Sequence, residues 1–146
     1  MTATQPIYNR VALIGLGLIA SSMAHAMRQF GLAGEITGHA KSAETRAVAL
    51  EIGLCDRVFD TAAAAVEGAD LVVLCVPVGA MGAVAAEIGP HLMQGATVTD
   101  VGSVKQAVIA AVGPHIPAGV HFIPGHPIAG TEHSGPRSRF ATLFQN

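Results

Sequence analysis

The chain has 146 residues, the length of one ordinary domain; 51% of them are hydrophobic and 12% charged. That composition supports a sizeable core and argues against disorder beyond the first few residues. A formal net charge of −2, with no basic run, excludes the footprint of a nucleic-acid binder.

Taken in chain order, short apolar runs alternate with helical segments. Val11–Ile14 reads as a buried strand and Leu18–Phe30 as a helix. Glu35–His39 is a second strand, followed by a helix over Ser42–Ile52 with Ser42 as N-cap and Gly53 as stop. Arg57–Phe59 is a short strand, and Asp60 is placed to cap an Ala-rich helix over Thr61–Glu67. Asp70–Val76, DLVVLCV, is the clearest strand, apolar on both faces. Val78–Ile88 is helical and ends before Gly89-Pro90. Thr97–Val101 is a strand, Val104–Val112 a helix ended by Gly113-Pro114, and Val120–Ile123 the last strand. Continuous apolar strands alternating with helices predict a parallel sheet covered on both faces.

Two stretches mimic targeting segments. Arg10 followed by VALIGLGLIA resembles a signal peptide, and Leu71–Ala86 is apolar but short for a spanning helix of roughly 20 residues. Both fit strand-and-helix units better, so no membrane partner is expected. Cys55 and Cys75 stand alone in apolar patterns. Neither a disulfide framework nor a metal site is expected, and a reducing cytoplasm fits best.

Gly15-Leu16-Gly17-Leu18-Ile19-Ala20 follows the first strand and opens the first helix, matching G-x-G-x-x-G/A. Gly15 permits the tight turn, Gly17 lets a pyrophosphate approach the backbone, and Ala20 keeps helix and strand close. Leu18 and Ile19 supply free N–H groups at the helix start. The strand–turn–helix–strand context predicts a Rossmann-type doubly wound sheet that binds NAD or NADP. An acid at the end of the second strand would select NAD, but that end reads Gly38-His39-Ala40-Lys41-Ser42, with Ala40 about where the acid belongs. Lys41, Ser42 and Arg46 are candidates to meet a 2′-phosphate; a solvated loop with a helix cap explains them equally well. Val76 and Pro77, after DLVVLCV, are further cofactor-contact candidates.

Two more signals stand where strands end. One is Asp100-Val101-Gly102-Ser103-Val104-Lys105, in which Ser103 either caps the next helix or faces a ligand. The other is GHPIAGTE, residues 125–132, which puts His126 in a Gly/Pro turn and Glu132 six positions later. Together GLGLIASSMA, TDVGSVK and GHPIAGTEHSG, in this order and spacing, resemble the prephenate/arogenate (cyclohexadienyl) dehydrogenase family of tyrosine biosynthesis. The resemblance covers essentially the whole chain.

The resemblance implies an NAD(P)-dependent oxidative decarboxylation of prephenate to 4-hydroxyphenylpyruvate, or of arogenate to tyrosine. It implies that His126 contacts the substrate's ring hydroxyl, that Ser103 lies near both that hydroxyl and the nicotinamide, and that Glu132 joins an ionic network gating the pocket. It also implies that residues 1–130 form the dinucleotide-binding domain and that 131–146 begin the connection to a C-terminal helical domain, absent here. In the family that domain makes a homodimer and holds the substrate carboxylates, so the chain alone is expected to be inactive. Phe140, Leu143 and Phe144 are read as an apolar stripe facing that domain or a second chain. Two other readings remain at this stage: a two-domain dehydrogenase of the β-hydroxyacid type, and a non-catalytic nucleotide-binding or redox-sensing module.

Overall fold

The computed structural model describes residues 6–125. They form a six-stranded parallel sheet in the order β3-β2-β1-β4-β5-β6. Its strands are β1 (Tyr8–Ile14), β2 (Ala33–His39), β3 (Arg57–Val58), β4 (Leu71–Leu74), β5 (Thr97–Asp100) and β6 (His121–Phe122). The helices are α1 (Leu18–Gln29), α2 (Ala43–Glu51), α3 (Ala62–Val66), α4 (Val78–Ile88) and α5 (Lys105–Val112). This is the Rossmann topology, in which the strand order reverses between β1 and β4.

Strand alternation explains the two-layered core. Val11 and Leu13 of β1 point to one face and pack with Met23 and Met27 of α1 and Ala49 of α2. Ala12 and Ile14 point to the other, against Val66 of α3, Met81 and Ile88 of α4 and Val108 of α5. Burial of each large apolar side chain in these layers stabilises the fold by about 1.5–3 kcal/mol. Ala20 and Ala24, both buried, let α1 lie close to the sheet. The two stretches that mimic targeting segments are β1–turn–α1 and β4–α4. Among the described residues no helix is long and apolar enough to cross a membrane.

Most element boundaries agree with the sequence reading, and the exceptions have physical causes. β1 and β2 start three and two residues early because Tyr8 and Arg10 pair with Ala33 and Glu35, and the Asp70 carboxylate accepts the Asn9 and Arg10 N–H groups at 2.8 and 2.9 Å. Asp60 does not cap α3. Thr61 does, its hydroxyl accepting the Ala64 N–H at 3.1 Å, while Asp60 faces solvent near Arg46. α4 and α5 end before Gly89-Pro90 and Gly113-Pro114 as expected, and each chain then tightens into a 3₁₀ turn that contains the Pro. Ser42 caps α2 as expected, accepting the Thr45 N–H at 3.2 Å. Gly53, at a φ of +79°, closes α2, with Leu54 N–H bonded to Ala49 and Gly53 N–H to Leu50.

At the amino-terminal edge of the sheet, Glu35 takes the Nε–H of both Arg57 and Arg10 at 2.7 Å. The Arg57 guanidinium, with Arg10 beside it, holds the Glu35 carboxyl below its usual range despite a desolvation cost. A lowered folded pKa means that the stabilisation is complete above the unfolded value, about 4.3, and is lost as pH falls through the folded one. Glu35→Gln is therefore expected to cost up to about 1 kcal/mol at pH 7, a figure limited by solvent screening, and less at pH 3. Urea denaturation at the two pH values checks this; an equal penalty at both would show that packing, not charge, is what the substitution removes.

Candidate cofactor and active site

Register aligns the carboxyl ends of four strands. His39 pairs with Ile14, Ile14 with Leu74, and Leu74 with Asp100. At roughly 4.8 Å per strand spacing, these ends cover about 14 Å of one sheet edge. The residues that follow them are therefore neighbours: Ala40-Lys41-Ser42 after β2, Gly15-Leu16-Gly17 after β1, Cys75-Val76-Pro77 after β4, and Val101-Gly102-Ser103 after β5. Ligands of open parallel sheets bind at this edge, where the strand order reverses.

The two glycines of the first turn differ physically. Gly15 has a φ of +100°, and a Cβ there would lie 2.8 Å from the Cys75 carbonyl oxygen. Its need for glycine comes from the protein itself. Gly17 has a φ of −93°, which any residue adopts, and a Cβ added there would meet nothing within 4 Å. Among the described residues nothing demands a glycine at 17; it leaves a space open beside the start of α1. That helix start carries no side-chain cap and no acid in its first turn. Its unpaired N–H groups and positive dipole end suit a phosphate. The space and the donors fit the pyrophosphate of a dinucleotide.

Leu18 is 82% exposed beside this turn, whereas Ala20 is fully buried against the sheet. Ile19 is half-buried and packs on the β1 layer. An open groove of about 560 Å³ runs from Leu16, Gly17 and Leu18 along α2 past Thr45, Val48 and Ile52. Val76 and Pro77 form the start of α4 across the strand reversal, with Pro77 in its N-cap position. Burial pushes the Cys75 thiol up to about 12, helped by the Asp100 charge, so the crevice floor carries a neutral thiol.

The loop after β2 is held by Arg46, one of the candidates for a 2′-phosphate. Its guanidinium donates to the carbonyls of Ala40 at 2.6 Å and Lys41 at 3.1 Å, and approaches Asp60 at 3.7 Å. Arg46 thus shapes the loop from within. Lys41 is exposed, and Ser42 is engaged as the α2 cap.

Ser103 is not the cap of α5. Val104 occupies the N-cap position, without a side-chain cap bond, and Ser103 is exposed at the sheet edge. Val104 and Ile123, at 57% and 58% exposure, add apolar surface to the same edge.

The sequence reading missed Asp100 and Lys105. The Asp100 side chain is fully buried, and Lys105 Nζ reaches its two carboxylate oxygens at 3.0 and 3.2 Å. Asp100 also accepts the Gly102 N–H at 2.7 Å and the Gly125 N–H at 3.0 Å. An acid at a strand end followed by Gly and then Lys was the available signal; the bond to Gly125 spans 25 positions and left no local trace. His126, Glu132 and the stripe of Phe140, Leu143 and Phe144 lie outside the described residues.

Comparison with known proteins gives the family and the fold. The family model for the nucleotide-binding domain of prephenate dehydrogenase matches residues 23–146. The chain is 43% identical over 140 residues to the cyclohexadienyl dehydrogenase of Zymomonas mobilis, covering 96% of this chain and 47% of that protein. The structure of prephenate dehydrogenase from A. aeolicus in complex with hydroxyphenyl propionate and NAD+ superimposes with a TM-score of 0.69 at 32% identity, over 88% of this chain and 44% of that one. Synechocystis arogenate dehydrogenase superimposes with a TM-score of 0.73 at 32% identity, over 84% of this chain and 42% of that one. The chain thus spans about half the length of these relatives.

Proposed function

Because this chain belongs to the prephenate dehydrogenase family, as its nucleotide-binding domain, we propose that it serves the NAD(P)-dependent oxidative decarboxylation of prephenate, arogenate or both. The observation that carries the reading is the shared register of His39, Ile14, Leu74 and Asp100. It gathers at one edge the glycine turn, the Val76-Pro77 corner and the Ser103 turn.

In this reading residues 1–130 are the dinucleotide-binding domain and 131–146 lead toward a helical domain that completes the substrate site and forms a homodimer. Gly15, Gly17 and the N–H groups of Leu18, Ile19 and Ala20 would hold the pyrophosphate. Ala40, Lys41 and Ser42 would face the adenosine ribose, and Val76, Pro77 and Ser103 would line the path to the nicotinamide. The dinucleotide, when bound, supplies the hydride acceptor. His126, as a neutral imidazole, takes the proton of the ring hydroxyl as the carbonyl develops. Ser103 hydrogen-bonds beside that hydroxyl and keeps it directed toward His126. Loss of carbon dioxide from the opposite ring carbon then yields the aromatic product. Glu132 belongs to the ionic network at the pocket mouth.

The test is to supply the complete protein with prephenate or arogenate and either dinucleotide, following reduced nicotinamide and released carbon dioxide together. Equal amounts of the two are expected. Reduction without carbon dioxide would point to a simple hydroxyacid dehydrogenase, and binding without turnover to a non-catalytic module.

The same assay reads cofactor choice. With Ala40 in place of an acid, a weak NAD preference or a leaning to NADP is expected. Ala40→Asp should shift the ratio of kcat/KM values toward NAD by about tenfold or more, since a charge-assisted hydrogen bond to the 2′-hydroxyl contributes roughly 1.5–3 kcal/mol and a 2′-phosphate is repelled. An unchanged ratio would remove Ala40 from the ribose site.

A further inference from the structure

Asp100 is a carboxylate with 0% side-chain exposure at the edge where the candidate site lies. Burying a charge is costly unless it is fully paired. Here it is paired completely. Oδ2 accepts the Gly102 N–H at 2.7 Å and Lys105 Nζ at 3.0 Å, and Oδ1 accepts the Gly125 N–H at 3.0 Å and Lys105 Nζ at 3.2 Å. Lys105 Nζ also donates to the Gly102 carbonyl at 3.3 Å. The two glycines are shaped to this carboxylate. A Cβ on Gly102 would lie 2.7 Å from Val108 Cγ2 and 3.0 Å from Asp100 Oδ2, and one on Gly125 would strike the Asp100 carbonyl oxygen. One side chain thus fixes two segments far apart in sequence. The first is the turn from Val101 to Val104, which presents Ser103; the second ends at Gly125, whose next residue is His126.

Termination of β5 does not require a charge, and an apolar residue would avoid the desolvation cost. We propose that Asp100, with Lys105 as its counter-charge, is a positioning residue that sets the distance between the Ser103 turn and the backbone that enters His126. The proposal rests on the functional reading above for the roles of Ser103 and His126, but the pinning itself does not. Asparagine at 100 keeps the volume yet has one acceptor oxygen, so one of the two glycine N–H groups faces an amide NH₂ and Lys105 loses its counter-charge.

The test uses Asp100→Asn in the complete protein, read by hydrogen exchange and by kinetics. Amide exchange at residues 101–104 and at Gly125 should accelerate at least about tenfold, while α1 and β1 remain protected. Dinucleotide affinity should change less than about threefold. Turnover should fall about 100-fold, the effect of displacing reacting groups by about 1 Å. The double variant Asp100→Asn with Lys105→Met removes the stranded charge. It should recover thermal stability without recovering turnover.

Turnover returning together with stability would show that Asp100 serves only folding, and would overturn the proposal. So would unchanged exchange at Gly125, or failure of both variants to fold. If exchange accelerates as expected but the wild type oxidises neither prephenate nor arogenate, the pinning stands and the functional reading fails instead.

Discussion

A Gly17→Val variant is expected to fold like the wild type and to lose dinucleotide affinity by about 100-fold or more, some 2.7 kcal/mol. The expectation follows from the contrast between the two glycines of one turn. At Gly17 the backbone is at a φ of −93° and an added Cβ would have no described atom within 4 Å, so a side chain can start there without the clash that Gly15 would suffer. The fold loses only the preference for glycine over valine at a helix N-cap, roughly 1 kcal/mol or less. The same branches occupy the volume beside the first N–H groups of α1, where a pyrophosphate would lie. Gly15→Ala is the control. Its φ of +100° and the 2.8 Å approach to Cys75 make a side chain there damaging to the protein with or without ligand. Calorimetric titration with NAD+ and thermal melting of both variants separate the effects: Gly17→Val should lose binding alone, Gly15→Ala stability as well. Unchanged titration of Gly17→Val would remove the turn from the cofactor site.

That contrast also marks what could be read from the sequence. The G-x-G-x-x-G/A spacing located the turn and the helix it opens, but could not divide its glycines into one the chain needs and one a ligand needs. The division requires the Cys75 carbonyl, 60 positions away in sequence and beside Gly15 only because β4 pairs with β1. The strands were legible because a doubly covered sheet requires continuous apolar runs such as Leu71–Leu74. Local chemistry was legible where one side chain acts on its own neighbourhood, as with Ser42 and Gly53 at the ends of α2. It misled where two residues compete for one role, as Asp60 and Thr61 do at α3. The part Arg46 plays in the loop after β2 left no trace, because its carbonyl partners, Ala40 and Lys41, are backbone atoms that every sequence has. Asp100 was the main omission among candidate site residues, since its meaning depends on Gly125 across the β5–β6 pairing.

His126→Asn, made in the complete protein, is expected to cut turnover by about 10²–10⁴-fold, the usual contribution of a positioned base. Asparagine retains similar bulk and can hydrogen-bond a hydroxyl, but it cannot accept the proton. Dinucleotide affinity should be nearly unchanged, because the pyrophosphate donors belong to the turn after β1, while Gly125, which leads into His126, is tied to the end of β5 through Asp100. The pH profile supplies an independent sign. An imidazole has an unperturbed pKa of about 6.5, and the base works only when neutral. In the wild type, kcat/KM should therefore fall as pH drops through that region and level off above it. In His126→Asn the acidic limb should disappear, leaving a low rate that no longer follows that ionisation. Comparison with Asp100→Asn then separates chemistry from placement. Displacing His126 through its backbone should lower turnover yet leave the acidic limb, since the imidazole is still present and still titrates. If His126→Asn keeps both wild-type turnover and the limb, the proton leaves by another group, and Asp100 positions Ser103 alone.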